Sequence, residues 1–446
     1  MFAYKGELAM PKKKTALTIE ERLQQALVPA EEQPYEVPEN WVWVRLGAIA
    51  EIVTGGTPSK KHPEYYGGNF PFYKPSDLDQ GRLTYDASEY LSEEGKNVSR
   101  IIPKNSTAVC CIGSIGKCGY LMCEGTTNQQ INSAIPKINS LCLYYYLCTE
   151  NFVQDLLSMA SATTIAIVNK SKMESCAFPL PPLSEQQRIV ERIEELLAKL
   201  DEAKERLQEV ADSFAVRKAA ILHNAFTGEL TKQWRRENGV RDESWEEKKL
   251  SEITENQDSK RIPLSKSQRD NMNRIYDYYG ASGIIDKVDD YIFEGKKLLI
   301  GEDGANLVTR SKDIAFIADG KYWVNNHAHI LDVKDTVLLM YLCNYINNMD
   351  LIPYVTGSAQ PKLTQAKMNN IKIFLPTLHE QHEIVRLIDD LLARERAAQQ
   401  AAEQALASID LMKKSILARA FCGELGTNKA SEASALELLK QVLAEG

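Results

Sequence analysis

Two stretches of the chain carry a sustained alternation of apolar positions three and four residues apart. The first runs through Ile189, Ile193, Leu196, Leu200, Ala203, Leu207, Val210, Phe214 and Ile221. The second runs through Ile384, Ile388, Leu391, Ala398, Ala402, Ala405, Ile409, Met412 and Ile416. A 3-4 alternation held this long is the seam of a coiled coil. It predicts one helix over 185–225, about 60 Å long at ~1.5 Å per residue, and a second like it. Glu395 falls on the second seam, which predicts a looser or exposed turn there. Prolines precede each helix, and Ser184 with Gln187 resembles a capping box. Gly228 and Gly423 stand where a left-handed residue ends a helix.

The two helical stretches are copies of each other. Sliding the chain by 195 residues places LPPLSEQQRIVERIEELLA on LPTLHEQHEIVRLIDDLLA, and 21 of the 51 positions from 180 to 230 are identical to their counterparts. Each copy closes on the same phrase, AFTGEL at 225–230 and AFCGEL at 420–425. Weaker matches lie upstream, including WVWVRLGAI (41–49) against WEEKKLSEI (245–253). The phrase therefore marks the end of a repeat, and the chain holds two.

Ahead of each helix lies a front with short β-like runs: STAVCCIG and INSAIPKI in the first, KLLIGE, KDIAFIA and YWVNNHAHILDV in the second. Each also has helical runs, LCLYYYLCTENFVQDLLS or VLLMYLCNYINNM. The fronts share little sequence and read as two unlike α+β domains. The expected fold is α+β: two globular domains separated by two long antiparallel helices in a pseudo-twofold repeat. The boundaries are a linker at 1–40, a first domain at 41–180, a helix at 181–232, a second domain at 233–375, a helix at 376–425 and a tail helix at 426–446. The short amphipathic stretches TIEERLQQALV and ASALELLKQVLAEG at the two ends should lie near each other.

Composition narrows the classes. The chain has 446 residues and a net charge of -8, which argues against a free-standing nucleic-acid binder. The fronts are near neutral, with 12 basic and 12 acidic residues in 41–180 and 17 and 18 in 245–375. The start lacks the apolar core of a signal peptide, so a cytoplasmic protein is expected. Seven of nine cysteines fall between Cys110 and Cys176 without a Cys-x-x-Cys pair; they read as small apolar residues in a reducing compartment. GSIGKCG lacks the first glycine and the final Ser or Thr of a phosphate loop, and reads as a turn between strands. HEQH at 379–382 is a helix start, and His327 with His329 shows no third ligand, so no metal is expected. No Asn-Pro or Asp-Pro occurs, so the chain lacks the motif with which adenine methyltransferases hold a flipped base.

Two fronts alternating with two repeated helices, with LPPLSEQQRIVERIEELLAKLDEAKERL and AFTGEL as they stand here, resemble the specificity subunit of type I restriction–modification systems. The resemblance covers residues 41–425. It implies that each front is a target recognition domain reading one half of a split, asymmetric DNA site, and that the helices fix the gap between the halves. It implies no catalysis by this chain. It also implies double-stranded DNA, two adenine methyltransferase subunits and ATP-dependent restriction subunits as partners, with S-adenosylmethionine bound by the methyltransferases. A coiled-coil scaffold that never touches DNA is the alternative, but it leaves the polar loops of the fronts unexplained.

Base edges are read by Arg, Lys, Asn and Gln side chains and by small polar groups. Loops at matching places in the two fronts supply candidates. SATTIA (161–166) pairs with TGSAQP (356–361), and the resemblance implies that this loop approaches DNA; its candidates are Thr163, Thr164, Ser358, Gln360 and Lys362. TTNQQIN (126–132) pairs with VNNHAHI (324–330), giving Asn128, Gln129, Gln130, Asn326 and His327. GSIGKCG (113–119) pairs with GEDGANLVTR (301–310), giving Ser114, Lys117, Asn306 and Arg310. Lys60, Lys61, Lys74, Ser76, Tyr279 and Ser282 complete the set.

Overall fold

A computed structural model describes residues 18–161, 166–241, 244–357 and 359–445. The chain divides into two compact units, residues 1–205 with 406–446, and residues 206–405. The division falls inside the helical repeats, so each unit combines one front with a segment from each long helix.

In unit 1, β1 (Val42–Arg45) pairs antiparallel with β9 (Ala177–Leu180) at the base of the front. Strands β2 (Ala50–Thr54), β8 (Ile131–Pro136), β5 (Thr107–Cys110) and β6 (Cys118–Tyr120) form an antiparallel sheet in that order. A smaller sheet has the order β4 (Glu89–Leu91), β3 (Tyr66–Tyr73), β7 (Thr126–Thr127). GSIGKCG is the β5–β6 turn, with Gly113 and Gly116 at positive φ.

Unit 2 repeats this plan. β10 (Glu246–Lys249) pairs with β19 (Lys372–Leu375). The main sheet has the order β11 (Glu255–Asn256), β18 (Ala328–Asp332), β15 (Lys297–Gly301), β16 (Ala315–Ala318). The smaller one has the order β13 (Gly283–Val288), β12 (Tyr276–Gly280), β17 (Lys321–Val324), β14 (Phe293–Glu294). The run YWVNNHAHILDV is thus two strands in different sheets, split at Asn325–His327. The fronts, unlike in sequence, share the strand order of the main sheet, while the smaller sheet of unit 2 has β14 as an extra edge strand. A half-buried strand constrains only alternation of apolar and polar residues, so topology outlasts identity.

The first long helix is Leu183–Asp212 followed by Phe214–Phe226, and the second is Leu378–Phe421. The expected unbroken first helix is interrupted at Ser213, where the Ser213 hydroxyl and the Arg217 guanidinium both donate to the Val210 carbonyl, at 3.0 and 3.2 Å. Arg217 also meets Glu395 at 2.5 Å. Glu395 is therefore a partly buried ion-pair partner and not a loose turn. Within each unit the paired segments run antiparallel: Asp201 pairs with Lys413, and Arg188 with Glu432 beyond the second long helix, in unit 1; Arg217 pairs with Glu395, and Arg235 beyond the first long helix with Glu380, in unit 2. Ile189, Ile193, Ile384, Ile388, Ala402 and Ile409 are buried as the seam requires. Val210, Ala398 and Met412 are exposed, so the seam is interrupted at these three positions.

The expected Ser184–Gln187 capping box does not form. The first helix begins two residues earlier, at Leu183, with the amides of Glu185 and Gln186 on the Pro182 carbonyl. The Gln186 side chain reaches back to the Pro181 carbonyl at 2.9 Å, and its counterpart Gln381 to the Pro376 carbonyl at 2.8 Å. At the other end Gly228 and Gly423 adopt the left-handed conformation, at φ 79° and 75°.

The AFxGEL phrase ends a repeat in sequence but closes the other unit in space. Phe226, at the end of the first long helix, packs on Tyr341 and Tyr345 of the second front, with ring centroids at 5.4 and 5.1 Å. Phe421, at the end of the second long helix, packs on Tyr146 of the first front at 5.1 Å. The chain ends also meet in unit 1: the helix Ile19–Ala26, closed by a Thr18–Glu21 capping box, packs against the helix Ala435–Glu445.

Candidate nucleic-acid interface

In unit 1 the candidate loops converge at one end of the main sheet. Gly55 and Gly56 donate to the carbonyls of Ile131 and Thr127, joining the loop of Lys60 and Lys61 to the Asn128–Gln130 turn. Thr57 meets Gln129, side chain to side chain, at 2.5 Å. Val168 donates to Cys111, and Ile112 bridges Ile167, which brings the Ser114 turn against the loop beginning at Ser161. Thr163 and Thr164 lie outside the described residues.

Unit 2 repeats the gathering. Glu302 donates to the His327 carbonyl, Gly304 to Pro361, and Leu363 to Glu302. Asn325 donates to Tyr279, while Asp303 and Thr356 both bridge Lys362. Ser358 lies outside the described residues.

Side-chain placement separates the candidates. Lys60, Lys61, Ser76, Ser114, Gln129, Ser282, Asn326, His327, Gln360 and Lys362 are exposed. Several are held by carboxylates: Lys74 by Glu89 at 3.0 Å, Lys117 by Asp79 at 2.7 Å, Lys362 by Glu302 at 3.1 Å and His327 by Asp303 at 2.8 Å. Such pairs aim a lysine and lower its pull on phosphates at random.

Four candidates are corrected by their surroundings. Asn128 is buried, and its side-chain oxygen accepts from the Gln130 amide to shape the turn, while its amide nitrogen donates to the partly buried Gln130 side chain. Tyr279 is packed between Phe316 and Tyr322, and burial raises its hydroxyl pKa. Asn306 closes its own turn through Ser311 and the backbone of Lys312. Arg310, at φ 52°, donates to the Asn347 and Met349 carbonyls at the end of the helix Thr336–Asn348. These side chains are engaged in building their own loops. The turn also shows that the pairing of Asn128 with Asn326 is one residue off. Asn325 accepts from the His327 amide as Asn128 does from Gln130, so Gln129 and Asn326 are the exposed equivalents.

Sequence separation hid one cluster. His329, 1% exposed, meets Asp258 at 2.6 Å through Nδ1 and the Leu363 carbonyl at 2.7 Å through Nε2. Arg261 bonds Glu302 at 2.8 Å and the Ala328 carbonyl at 2.6 Å, and lies 3.3 Å from Asp258. Burial pushes the Asp258 and Glu302 carboxyls up, but His329 and Arg261 outweigh it and hold both below the usual range. Two carboxylates thus face His329, where the sequence displayed no further ligand. Their charge is already balanced by Arg261 and Lys362, and the Ile330 amide occupies the other Asp258 oxygen at 2.9 Å, so the cluster is an ion-pair network. His379 and His382 are exposed on the first turn of their helix, as expected.

Two fronts sharing a main-sheet topology, each with loops gathered at one sheet end and followed in the chain by a repeated helix, define a duplicated, modular class of protein. The family description "Type I restriction modification DNA specificity domain" matches residues 38–212 and 242–405, and the chain belongs to that family. A putative type I restriction enzyme specificity subunit from Haemophilus influenzae is 40% identical over 147 residues, 33% of this chain and 37% of that protein. The chain spans only 37–40% of the length of this relative and of the EcoR124I/EcoR124II and HindI specificity subunits. The EcoKI specificity subunit of Escherichia coli K12 is 23% identical over 92% of this chain and 96% of its own length. The crystal structure of the HsdS subunit from Thermoanaerobacter tengcongensis superposes with a TM-score of 0.64 at 18% identity, over 88% of this chain and 99% of that one, and supports the fold. No described helix is long and apolar enough to cross a membrane.

Proposed function

We propose that this chain is the DNA sequence-recognition subunit of a type I restriction–modification complex. Each front reads one half of a bipartite, asymmetric site, and the long helices set the unread gap between the halves. The observation that carries the reading is the duplicated interface: loops at equivalent places in two fronts, exposing Lys60, Lys61, Ser114 and Gln129 in one and Ser282, Asn326, Gln360 and Lys362 in the other.

The chain carries recognition and not catalysis. Its near-neutral fronts supply few of the positive charges that non-specific phosphate affinity requires. Two adenine methyltransferase subunits, which bring S-adenosylmethionine, grip the duplex, and ATP-dependent restriction subunits complete the assembly in the cytoplasm. The exposed helix faces are the docking ground for the methyltransferases. The gap between half-sites follows helix length: one heptad, about 10.5 Å, corresponds to roughly three base pairs.

The test is exchange of residues 41–178 for the front of a relative, followed by single-molecule sequencing of methyladenine in host DNA. One half of the methylated site should change and the other remain. A change in both halves, or in neither, overturns the modular reading.

A further inference from the structure

We propose that His329 is a proton-dependent anchor of the loop at 356–363, so that recognition through the second front is pH-sensitive while recognition through the first is not. The proposal rests on the reading of both fronts as DNA-recognition domains.

The two fronts solve one structural problem in two ways. In the first, Asn132 lies opposite Val109 in the β8–β5 pair and Thr54 in the β8–β2 pair. In the second, His329 lies opposite Ile300 in the β18–β15 pair. Both residues stand four places after the buried asparagine of the equivalent turn, Asn128 or Asn325. Asn132 Nδ2 donates to the Val168 carbonyl at 3.4 Å, and its Oδ1 accepts from the Thr54 hydroxyl at 2.8 Å. His329 meets the Leu363 carbonyl through Nε2 and Asp258 through Nδ1. Val168 and Leu363 are 195 residues apart, the period of the repeat, and each directly follows a small bridge that closes the candidate loop, Ser161 with Ile167 and Thr356 with Lys362. The side chain on the central strand therefore fastens the same loop in both fronts.

The fastenings differ in chemistry. The Asn132 amide is a donor and an acceptor at every pH and is matched to one acceptor and one donor. His329 faces two acceptors, a carboxylate and a carbonyl. It satisfies both only when both ring nitrogens carry protons. Once the second proton leaves, one of the two bonds of the ring is lost in a site closed to water; Asp258 keeps Arg261 and the Ile330 amide and holds the remaining ring proton, so the Leu363 carbonyl is the acceptor left unmatched. An unmatched buried acceptor is costly, and the exposed end of the loop is the part free to move. The other charged groups around the ring are Glu302, 3.7 Å from Nδ1, Arg261, which bonds Glu302 and lies beside Asp258, Lys362 on Glu302, and the neighbouring Asp303–His327 pair. Lys362 belongs to the loop, so release of Leu363 also loosens a candidate base-reading side chain.

The experiment uses the complex assembled with methyltransferase subunits. Affinities for the full site, a site mismatched in the first half and one mismatched in the second half are measured from about pH 5 to about pH 8, the interval in which an imidazole changes charge. Discrimination at the second half should fall about tenfold as pH rises, the worth of one buried hydrogen bond. Discrimination at the first half should stay level. His329→Gln, which retains a donor for the Leu363 carbonyl without a titrating proton, should flatten the second-half profile. Hydrogen–deuterium exchange of the free chain gives a readout without DNA: protection of 356–363 relative to 166–168 should fall with pH in the wild type and not in His329→Gln. Equal pH profiles for the two halves, or protection of 356–363 that ignores pH, overturns the anchor. Absence of discrimination at every pH, with the exchange difference intact, overturns the recognition reading and leaves the anchor standing.

Discussion

The indole Nε1 of Trp41 donates to the buried carboxylate of Glu185 at 2.7 Å. Thr427 and Asn428, just past AFCGEL, complete the shell at 3.1 and 2.8 Å. In unit 2 the same role falls to Trp245, Thr231 and Arg235 around Glu380, at 3.0, 2.7 and 2.7 Å. Each glutamate is fully buried. Each ties the start of a front, the start of one long helix and the segment after the end of the other.

Trp41→Phe removes a hydrogen bond from a buried carboxylate whose shell otherwise holds only neutral donors. A loss of about 1–3 kcal/mol in the unfolding of unit 1 is expected by denaturant titration. Arg235→Met leaves Glu380 without its cation, and about 3–5 kcal/mol should go from unit 2. Unchanged midpoints for both variants would show that the glutamate shells do not hold the units together.

Gly423 and Gly228 occupy the same place in the repeat but should differ on substitution. Both sit at positive φ, which strains any L side chain. A Cβ at Gly423 would also stand 2.4 Å from the Pro38 ring, whereas one at Gly228 would meet the tip of Arg235 at 3.1 Å. Gly423→Ala should therefore lower Tm more than Gly228→Ala, with the second near the ~1 kcal/mol of backbone strain alone. Equal losses would argue that the Pro38 contact relaxes freely.

Asp258 and Glu302 make unit 2 acid-sensitive. Their folded carboxyl pKa values lie below the ordinary ones. Their contribution is present above the unfolded pKa, about 4, and is lost as pH falls through the folded values. Asp258→Asn should flatten the decline of unit 2 stability below about pH 4, as followed by circular dichroism. A decline as steep as in the wild type would remove Asp258 from that role.

Gln360→Ala and Lys362→Ala should each weaken specific binding by about 1–3 kcal/mol if the side chain reads a base, with complex assembly intact. A uniform loss across all sequences, with the salt slope reduced by about one, would assign the residue to phosphate instead.

The helices were legible in the sequence because a seam and a repeat leave a period that needs no partner to be seen. The chain's Gly228 and Gly423 ended them where left-handed backbone was expected. The shared topology of the fronts was not legible: strands at 107–110 and 297–301 hold the same place in their sheets yet share only apolar character. The loops paired in the sequence lie together within each front, but the orientation of the side chains in them was not legible. Asn128 and Gln129 are adjacent and equally polar, and only the fold turns one inward and the other out. The His329 cluster joins residues 71 and 27 positions away, a distance no local pattern spans. Arg217 rescued Glu395 from across a helix pair, a relationship visible only once the two segments lie side by side.

The division of the chain into two units sets the order in which they can be completed. Residues 206–405 are contiguous, and every partner of Glu380 and Phe226 lies within them. The first front leaves the ribosome well before the second. Its Glu185 nevertheless waits for Thr427 and Asn428, and its Tyr146 for Phe421, which are among the last residues translated. A truncated product would carry a finished second unit and a first one with an uncovered aromatic face and a Glu185 left with Trp41 as its donor. Quality control in the cell would thus meet incomplete chains that have a built-in mark of incompleteness.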